Sequence, residues 1–294
     1  EHSACTMVDT HPHAVLDSRF QYLSVSVLNE NPSVYIVALD RPRKRNAINA
    51  QMWKEIGELF SQLGTLGDDC RCILLMGNGK GFCAGIDVTD PAFFPPEHDD
   101  VARKGIAFRP QILEMQRCFT AMETCPVPVV AAIHGNCIGA GVDMICCADV
   151  RYCTQDALFS VREVKLGLAA DVGTLQRLPN IVGFGSRVRE LCLTGDNFTA
   201  KEAMRMGLVS ATSNNVIEQA IQTCLRIAAN SPLAVAGTKL SLNYSRDHSV
   251  AEGLEHVALH NTVGLMTNDM QDSFLAVSQG SAPTFAQLLP YSRL

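Results

Sequence analysis

The sequence predicts an α/β core followed by a helical C-terminal third. Three observations carry that expectation. Strand-like and helix-like patterns alternate up to about Asn197, as in α/β domains. From Thr174 onward the periodicity is almost wholly helical. Two glycine-rich loops each follow an apolar strand, where backbone can approach a ligand closely.

The elements follow in order. Tyr22–Leu28 and Val34–Leu39 are rich in β-branched residues and read as strands joined by a turn over 29–33. Asn49–Leu66 carries Met52, Ile56, Leu59, Phe60 and Leu63 at helical spacing, with Trp53 on the apolar face, and closes on Gly64 and Gly67. Cys72–Met76 is a short buried strand running into the first glycine-rich loop, Gly77–Asp87. A polar, proline-containing surface segment continues to Asp100, and Ile106–Thr124 is a helix ended by Pro126. Val127–Ile133 is a buried strand, 134–141 the second glycine-rich turn and Ala140–Cys147 a helix. Val150–Cys153 and Leu158–Val161 are strands. Helices are expected over Thr174–Ile181, Ser186–Leu193, Thr199–Met206, Asn215–Ala229, Pro232–Tyr244 and Val250–Leu265. The organisation is therefore an irregular segment over 1–20, a core over 21–197 and a helical subdomain over 198–294.

Composition limits the function. Hydrophobic residues make up 47% and charged residues 18%, enough for a large core. No apolar run approaches the roughly 20 residues that span a bilayer, so no membrane partner is expected. The net charge of -6 disfavours nucleic acid, whose phosphates need a basic face. The twelve cysteines include no CxxC pair and several lie in apolar stretches, which suits a reducing compartment. Neither zinc ligation nor a triad built on His134 or His260 has supporting motif spacing. The C-terminal Ser292-Arg293-Leu294 is similar to the peroxisomal S-K-L address.

The chemistry concentrates at the two loops. Gly79–Asp87 and Gly135–Asp143 are dense in small residues, which leaves backbone N–H groups free to point at a ligand. Two such donors make an oxyanion hole; two tight turns are the plain alternative. Asp143, Glu163 and Asp171 follow, each flanked by apolar residues. Such acids are either exposed at an element end or held in a cleft with raised pKa, and the two aspartates could instead cap helices. Arg41–Arg45 is a local basic cluster, suited to phosphates or to an exposed turn.

The paired loops, with Asp143 three residues after Ala140, resemble the enoyl-CoA hydratase/isomerase (crotonase) superfamily from about Tyr22 to Thr267. Within it, Gly135–Arg151, Asp156–Leu178 and Tyr244–Gly253 resemble the Δ3,5-Δ2,4-dienoyl-CoA isomerases, above all the run Gly167–Pro179. The resemblance implies a crotonase spiral of β-β-α units with a C-terminal helical subdomain that serves in trimerisation. It implies an oxyanion hole from the backbone N–H groups of Ile86 and Ala140, where relatives usually have Gly at the second position. It implies catalytic roles for Asp143, Glu163 and Asp171, the last marking dienoyl-CoA isomerases where hydratases usually carry Gly. Ala84, Gly85, Ile86, Asp87, Val88 and Ala140 would line the thioester and pantetheine, and Phe93–Phe108 the fatty tail.

The expected function is thus isomerisation of 3,5-dienoyl-CoA to 2,4-dienoyl-CoA in fatty acid β-oxidation, by proton transfer between C2 and C6. The expected partner is the acyl-CoA thioester, in a homotrimer or homohexamer. No cofactor or metal is expected beyond CoA as part of the substrate. A peroxisome-type organelle is expected, with the mitochondrion as alternative. The rival functions are an enoyl-CoA hydratase, a Δ3-Δ2-enoyl-CoA isomerase and a non-catalytic RNA-binding protein of the same fold.

Overall fold

The computed structural model describes residues 19–286 and 288–289. Its largest element is a six-stranded sheet in the order β1-β2-β3-β4-β6-β9. The strands are β1 (Leu23–Leu28), β2 (Asn31–Leu39), β3 (Cys72–Gly77), β4 (Val129–Ile133), β6 (Val150–Cys153) and β9 (Ala211–Thr212). β1 and β2 form an antiparallel hairpin, and every later pairing in this sheet is parallel. A smaller sheet joins β5 (Asn136–Ile138), β7 (Leu158–Ser160) and β8 (Phe198–Thr199).

Strand side chains alternate between faces, so the large sheet buries both. One face carries Tyr35, Val37, Leu39, Ile73, Leu75, Val129, Ala131 and Ile133 into the main core. That core also takes in α1 (Ala50–Leu63), α2 (Val101–Thr124) and α3 (Ala140–Cys146). The other face carries Val34, Cys72, Leu74, Val130, Ala132 and Tyr152. It packs against α7 (Val216–Ala228) through Val216, Ala220, Cys224 and Ala228. Burial on both sides explains why β3 and β4 read as continuous apolar runs. Trp53 is buried as expected: its indole N–H donates to the Met115 carbonyl at 2.9 Å and its ring stacks on Phe119.

Two consecutive units repeat one path, from a strand of the large sheet to a strand of the small sheet to a helix. They are β4-β5-α3 and β6-β7-α4, where α4 is Thr174–Val182. Beyond α4 the described residues up to Gln279 are mainly helical, apart from short β8 and β9. The helices are α5 (Ser186–Thr194), α6 (Ala200–Met206), α7, α8 (Pro232–Tyr244), α9 (Val250–Gly264) and α10 (Asn268–Gln279).

Several boundaries differ from expectation for local reasons. α2 begins at Val101 rather than Ile106, because Asp100 accepts from the N–H groups of Ala102 and Arg103. Pro110 does not end α2, which runs on for 24 residues in all. β5, β8, β9 and α10 were not foreseen; the three strands have only three, two and two residues, too few to show a period.

Candidate active site

The two glycine-rich loops lie side by side. Cys83 N–H donates to the Asn136 carbonyl at 2.9 Å, and Ile138 N–H to the Cys83 carbonyl at 3.0 Å. This parallel bridge brings the last residues of both loops to one end. A second bridge joins Ile48 to Ile86: Ile48 N–H donates to Gly85, and Asp87 N–H to Ile48, each at 2.8 Å. Such a bridge uses the groups on either side of Ile86 and turns the Ile86 N–H away. Ala140 is the first residue of α3, so its N–H lies in the helical turn that has no partner within the helix. A Cβ built on Gly85 would stand 4.0 Å from the Ala140 nitrogen. The loops thus place the Ile86 and Ala140 segments together.

The three acids come from separate turns of the chain. Asp143 is fully buried in α3. Its Oδ1 accepts the Thr174 N–H at 2.5 Å, while Oδ2 has no hydrogen-bond partner among the described residues. Burial, followed by the Glu163 charge, pushes its carboxyl up to about 7. Glu163 opens the 3-10 turn Glu163–Leu166 after β7 and is half-buried, with Oε2 also unpartnered. Burial raises its carboxyl too, offset in part by its own backbone N–H. Asp171 stands at the exposed rim, yet enough of the chain surrounds it that desolvation raises its carboxyl. Asp171 and Asp143 are electrostatically coupled, as are Asp171 and Glu163.

Helix capping does not explain the aspartates. α4 has Gly173 at its N-cap and no side-chain cap. Asp143 serves that helix from another element, through Thr174, and does not cap its own. Gly139 fits this arrangement twice over: its φ of +53° suits glycine, and a Cβ there would lie 3.2 Å from Glu163 Oε1. A side chain at 139 would push into the carboxylate.

The remaining expected residues divide. Ala84 and Ile86 are half-buried, Gly85 is buried and Val88 is 55% exposed, so part of this strip is open to solvent. Asp87 is different. Its Oδ1 accepts from the N–H and hydroxyl of Thr89, and its Oδ2 from Arg41 at 3.1 Å. Those hydroxyl, backbone and guanidinium donors outweigh burial and lower its carboxyl, so its side chain braces the loop. Arg41 correspondingly leaves the basic cluster: it pairs with Asp87 and lies over the Tyr22 ring, while Arg43, Lys44 and Arg45 remain exposed. Phe93, Phe94, Pro96 and Ala107 join Trp53 and Met115 around a cleft of about 530 Å³ between α1 and α2.

Residue patterns alone did not point to Asn46. It is fully buried, with a φ of +55°, accepting from Arg41 N–H and donating to the carbonyls of Asn78 and Gly81. Its position after a charged turn was the available signal, since asparagine tolerates that backbone region.

Residues 29–279 match the family model described as "Enoyl-CoA hydratase/isomerase". Over 285 residues the chain is 44% identical to the mitochondrial Delta(3,5)-Delta(2,4)-dienoyl-CoA isomerase of Rattus norvegicus, covering 94% of this chain and 86% of the relative. It is 39% identical over 275 residues to the peroxisomal Delta(3,5)-Delta(2,4)-dienoyl-CoA isomerase of Arabidopsis thaliana, covering 92% and 98%. The crystal structure of enoyl-CoA hydratase from Bacillus anthracis matches with a TM-score of 0.80 at 26% identity, covering 90% of this chain and 99% of that one. The crotonase architecture expected from the sequence is therefore the one observed.

Proposed function

The chain belongs to the enoyl-CoA hydratase/isomerase family, and from that premise we propose that it is a Δ3,5-Δ2,4-dienoyl-CoA isomerase of fatty acid β-oxidation. The observation that carries this reading is the group of three mutually interacting carboxyls, all raised, beside the paired loops.

The chemistry moves one proton off C2 and places one on C6, while the double bonds shift from 3,5 to 2,4. The N–H groups of Ile86 and Ala140 donate to the thioester oxygen, so negative charge formed at C2 delocalises as a dienolate. Glu163 takes the C2 proton as an ionised base. Asp171 delivers a proton at C6 as a neutral acid. Asp143, whose carboxyl burial and the Glu163 charge push up to about 7, tunes Glu163 electrostatically from beside it. Paired carboxyls titrate in split steps, which provides one base and one acid at the same pH. No electron is transferred, so the reaction calls on no redox cofactor, and charge stabilisation by N–H donors needs no metal.

Exposed Arg43, Lys44 and Arg45 suit the CoA phosphates, and the strip Ala84–Val88 suits the pantetheine and thioester. The aromatic cleft between α1 and α2 suits the acyl tail. For assembly we propose a trimer or a pair of trimers, with contacts through α8–α10. Leu242, Val250, Leu254, Leu259 and Phe274 there are all more than 60% exposed, and a groove of about 980 Å³ runs between the helices. A peroxisome-type organelle remains our proposal for location. Residues 292–294, which carry the address-like tripeptide, lie outside the described residues, and the relatives' names include both mitochondrial and peroxisomal.

The test is an absorbance assay with 3,5-dienoyl-CoA, following the conjugated 2,4-dienoyl product. Wild type is expected to be active. Asp171→Asn and Glu163→Gln should each lose on the order of 10²–10⁴-fold or more, the scale of general acid–base catalysis. Hydration of 2-enoyl-CoA without dienoyl isomerisation would overturn the assignment in favour of a hydratase.

A further inference from the structure

Asp171 lies in an irregular turn that leads from the 3-10 turn at Glu163 into α4. Contacts from other elements fix the backbone of that turn. Gln116 Nε2 in α2 donates to the Asp171 carbonyl at 2.6 Å. Arg177 Nη1 donates to the Val172 carbonyl at 3.4 Å. Asp143 holds the Thr174 N–H.

Arg177 is itself fixed. Its Nε and Nη2 donate to Glu123 Oε2 at 3.0 and 2.8 Å, and Nη2 also to Thr120 Oγ1 at 3.0 Å. The pair is 14% and 10% exposed. The second oxygen of Glu123 pairs with Arg246, just beyond α8, and its carbonyl accepts from Asn243 Nδ2 in α8 at 3.0 Å. Burial alone would raise Glu123, but the two guanidiniums hold its carboxyl below the usual range. Gly173 completes the arrangement: with φ +132°, a Cβ there would lie 1.8 Å from Arg177 Nη1. Only glycine lets the guanidinium cross the turn.

We infer that Gln116, Arg177, Glu123 and Arg246 are positioning residues for Asp171, fixing the carbonyls of Asp171 and Val172 and tying that turn to α8. The inference rests on the proposed role of Asp171 as the C6 proton donor. It assigns the network to one half of the reaction, because its contacts fall on 171–173 and not on the Glu163 turn. A guanidinium that donates twice to one oxygen of a buried carboxylate, whose other oxygen is paired elsewhere, fixes direction more tightly than a single flexible contact. Neither Gln116 nor Arg246 needs to touch substrate to act in this way.

The two halves can be read separately in D₂O. Product absorbance reports protonation at C6. Mass spectrometry of recovered 3,5-dienoyl-CoA reports deuterium at C2, which needs only removal and return of that proton. Gln116→Leu and Arg246→Met should lower kcat for isomerisation about 3- to 10-fold, the size of one lost hydrogen bond. Arg177→Met should lower it about 100-fold or more, since it removes several bonds to the turn and its anchor. In each variant C2 exchange and KM should stay within about twofold of wild type.

A merely structural role predicts a different outcome, with exchange and isomerisation falling in parallel. That result would overturn the inference, as would unchanged isomerisation in both Gln116→Leu and Arg246→Met. If Arg177→Met fails to fold, these two variants decide the matter alone, because each leaves the Arg177–Glu123 pair in place. Wild-type protein that exchanges at C2 but forms no 2,4-dienoyl product would overturn the isomerase reading first, and the positioning role with it.

Discussion

Replacing Asp143 by asparagine separates the electrostatic cost of the site from its shape. The amide keeps an oxygen to accept the Thr174 N–H, which Asp143 takes at 2.5 Å. It removes a charge that burial and Glu163 both oppose. In the wild type this carboxyl titrates at about 7, against an ordinary value of 3.8. The folded protein therefore binds the proton more tightly than the unfolded chain does. The stability this group contributes is fully present below the unfolded value and is lost as pH rises through about 7. At about 1.4 kcal/mol for each tenfold change in proton affinity, the full loss is about 4 kcal/mol. That is an upper figure, because Asp143 and Glu163 titrate as a pair. In urea unfolding at pH ~8 the Asp143→Asn protein should be about 2–4 kcal/mol more stable than wild type, with the gap closing toward pH ~4. Its isomerase activity should fall by less than the ~10²–10⁴-fold that loss of a proton-transfer group costs, since asparagine imitates the neutral acid. Parallel stability–pH curves for the two proteins would refute the claim that Asp143 is buried at electrostatic expense.

Gly139→Ala should add about 1–3 kcal/mol of backbone strain and displace Glu163, whose Oε1 lies 3.2 Å from the added carbon; kcat should fall at least about tenfold, the effect of a misplaced reacting group, and a normal kcat would mean that the carboxylate does not face this loop. Replacing Arg43, Lys44 and Arg45 together by alanine should raise KM for acyl-CoA and weaken its salt dependence while kcat stays near wild type. A salt-independent KM in wild type would place the CoA phosphates elsewhere.

The features legible in the sequence were those with a period or a fixed chemical demand. β3 and β4 announced themselves because both faces are buried, which leaves no polar position in the strand. The loops announced themselves by their density of small residues, and the structure lays them side by side. Arg41 and Asp87 show where such reading stops. Each looked available to a ligand, one as a cation in a basic cluster and one as a lining residue. Their pairing spans 46 positions and appears only when the hairpin and the first loop pack together. The links from Glu123 to Arg177 and Arg246 span 54 and 123 positions and left no local pattern for the same reason.

The separation of the acids along the chain is itself informative. Asp143 belongs to the helix of one β-β-α unit, while Glu163 and Asp171 follow the strands of the next. No single unit contains the site, so it forms only when consecutive units stack. Burial raises all three carboxyls, and the charges of Glu163 and Asp171 push Asp143 further in the same direction, a cost that a fold selected for stability alone would avoid. The Thr174 N–H meets only one oxygen of Asp143 and leaves the other unpartnered among the described residues, as is Glu163 Oε2. An arrangement that served only to anchor α4 would have no need of a second acid beside Asp143. Two unpaired carboxylate oxygens from different units, in a fold that also brings the Ile86 and Ala140 segments together, are what packing alone would not produce and what the proposed proton transfer would use.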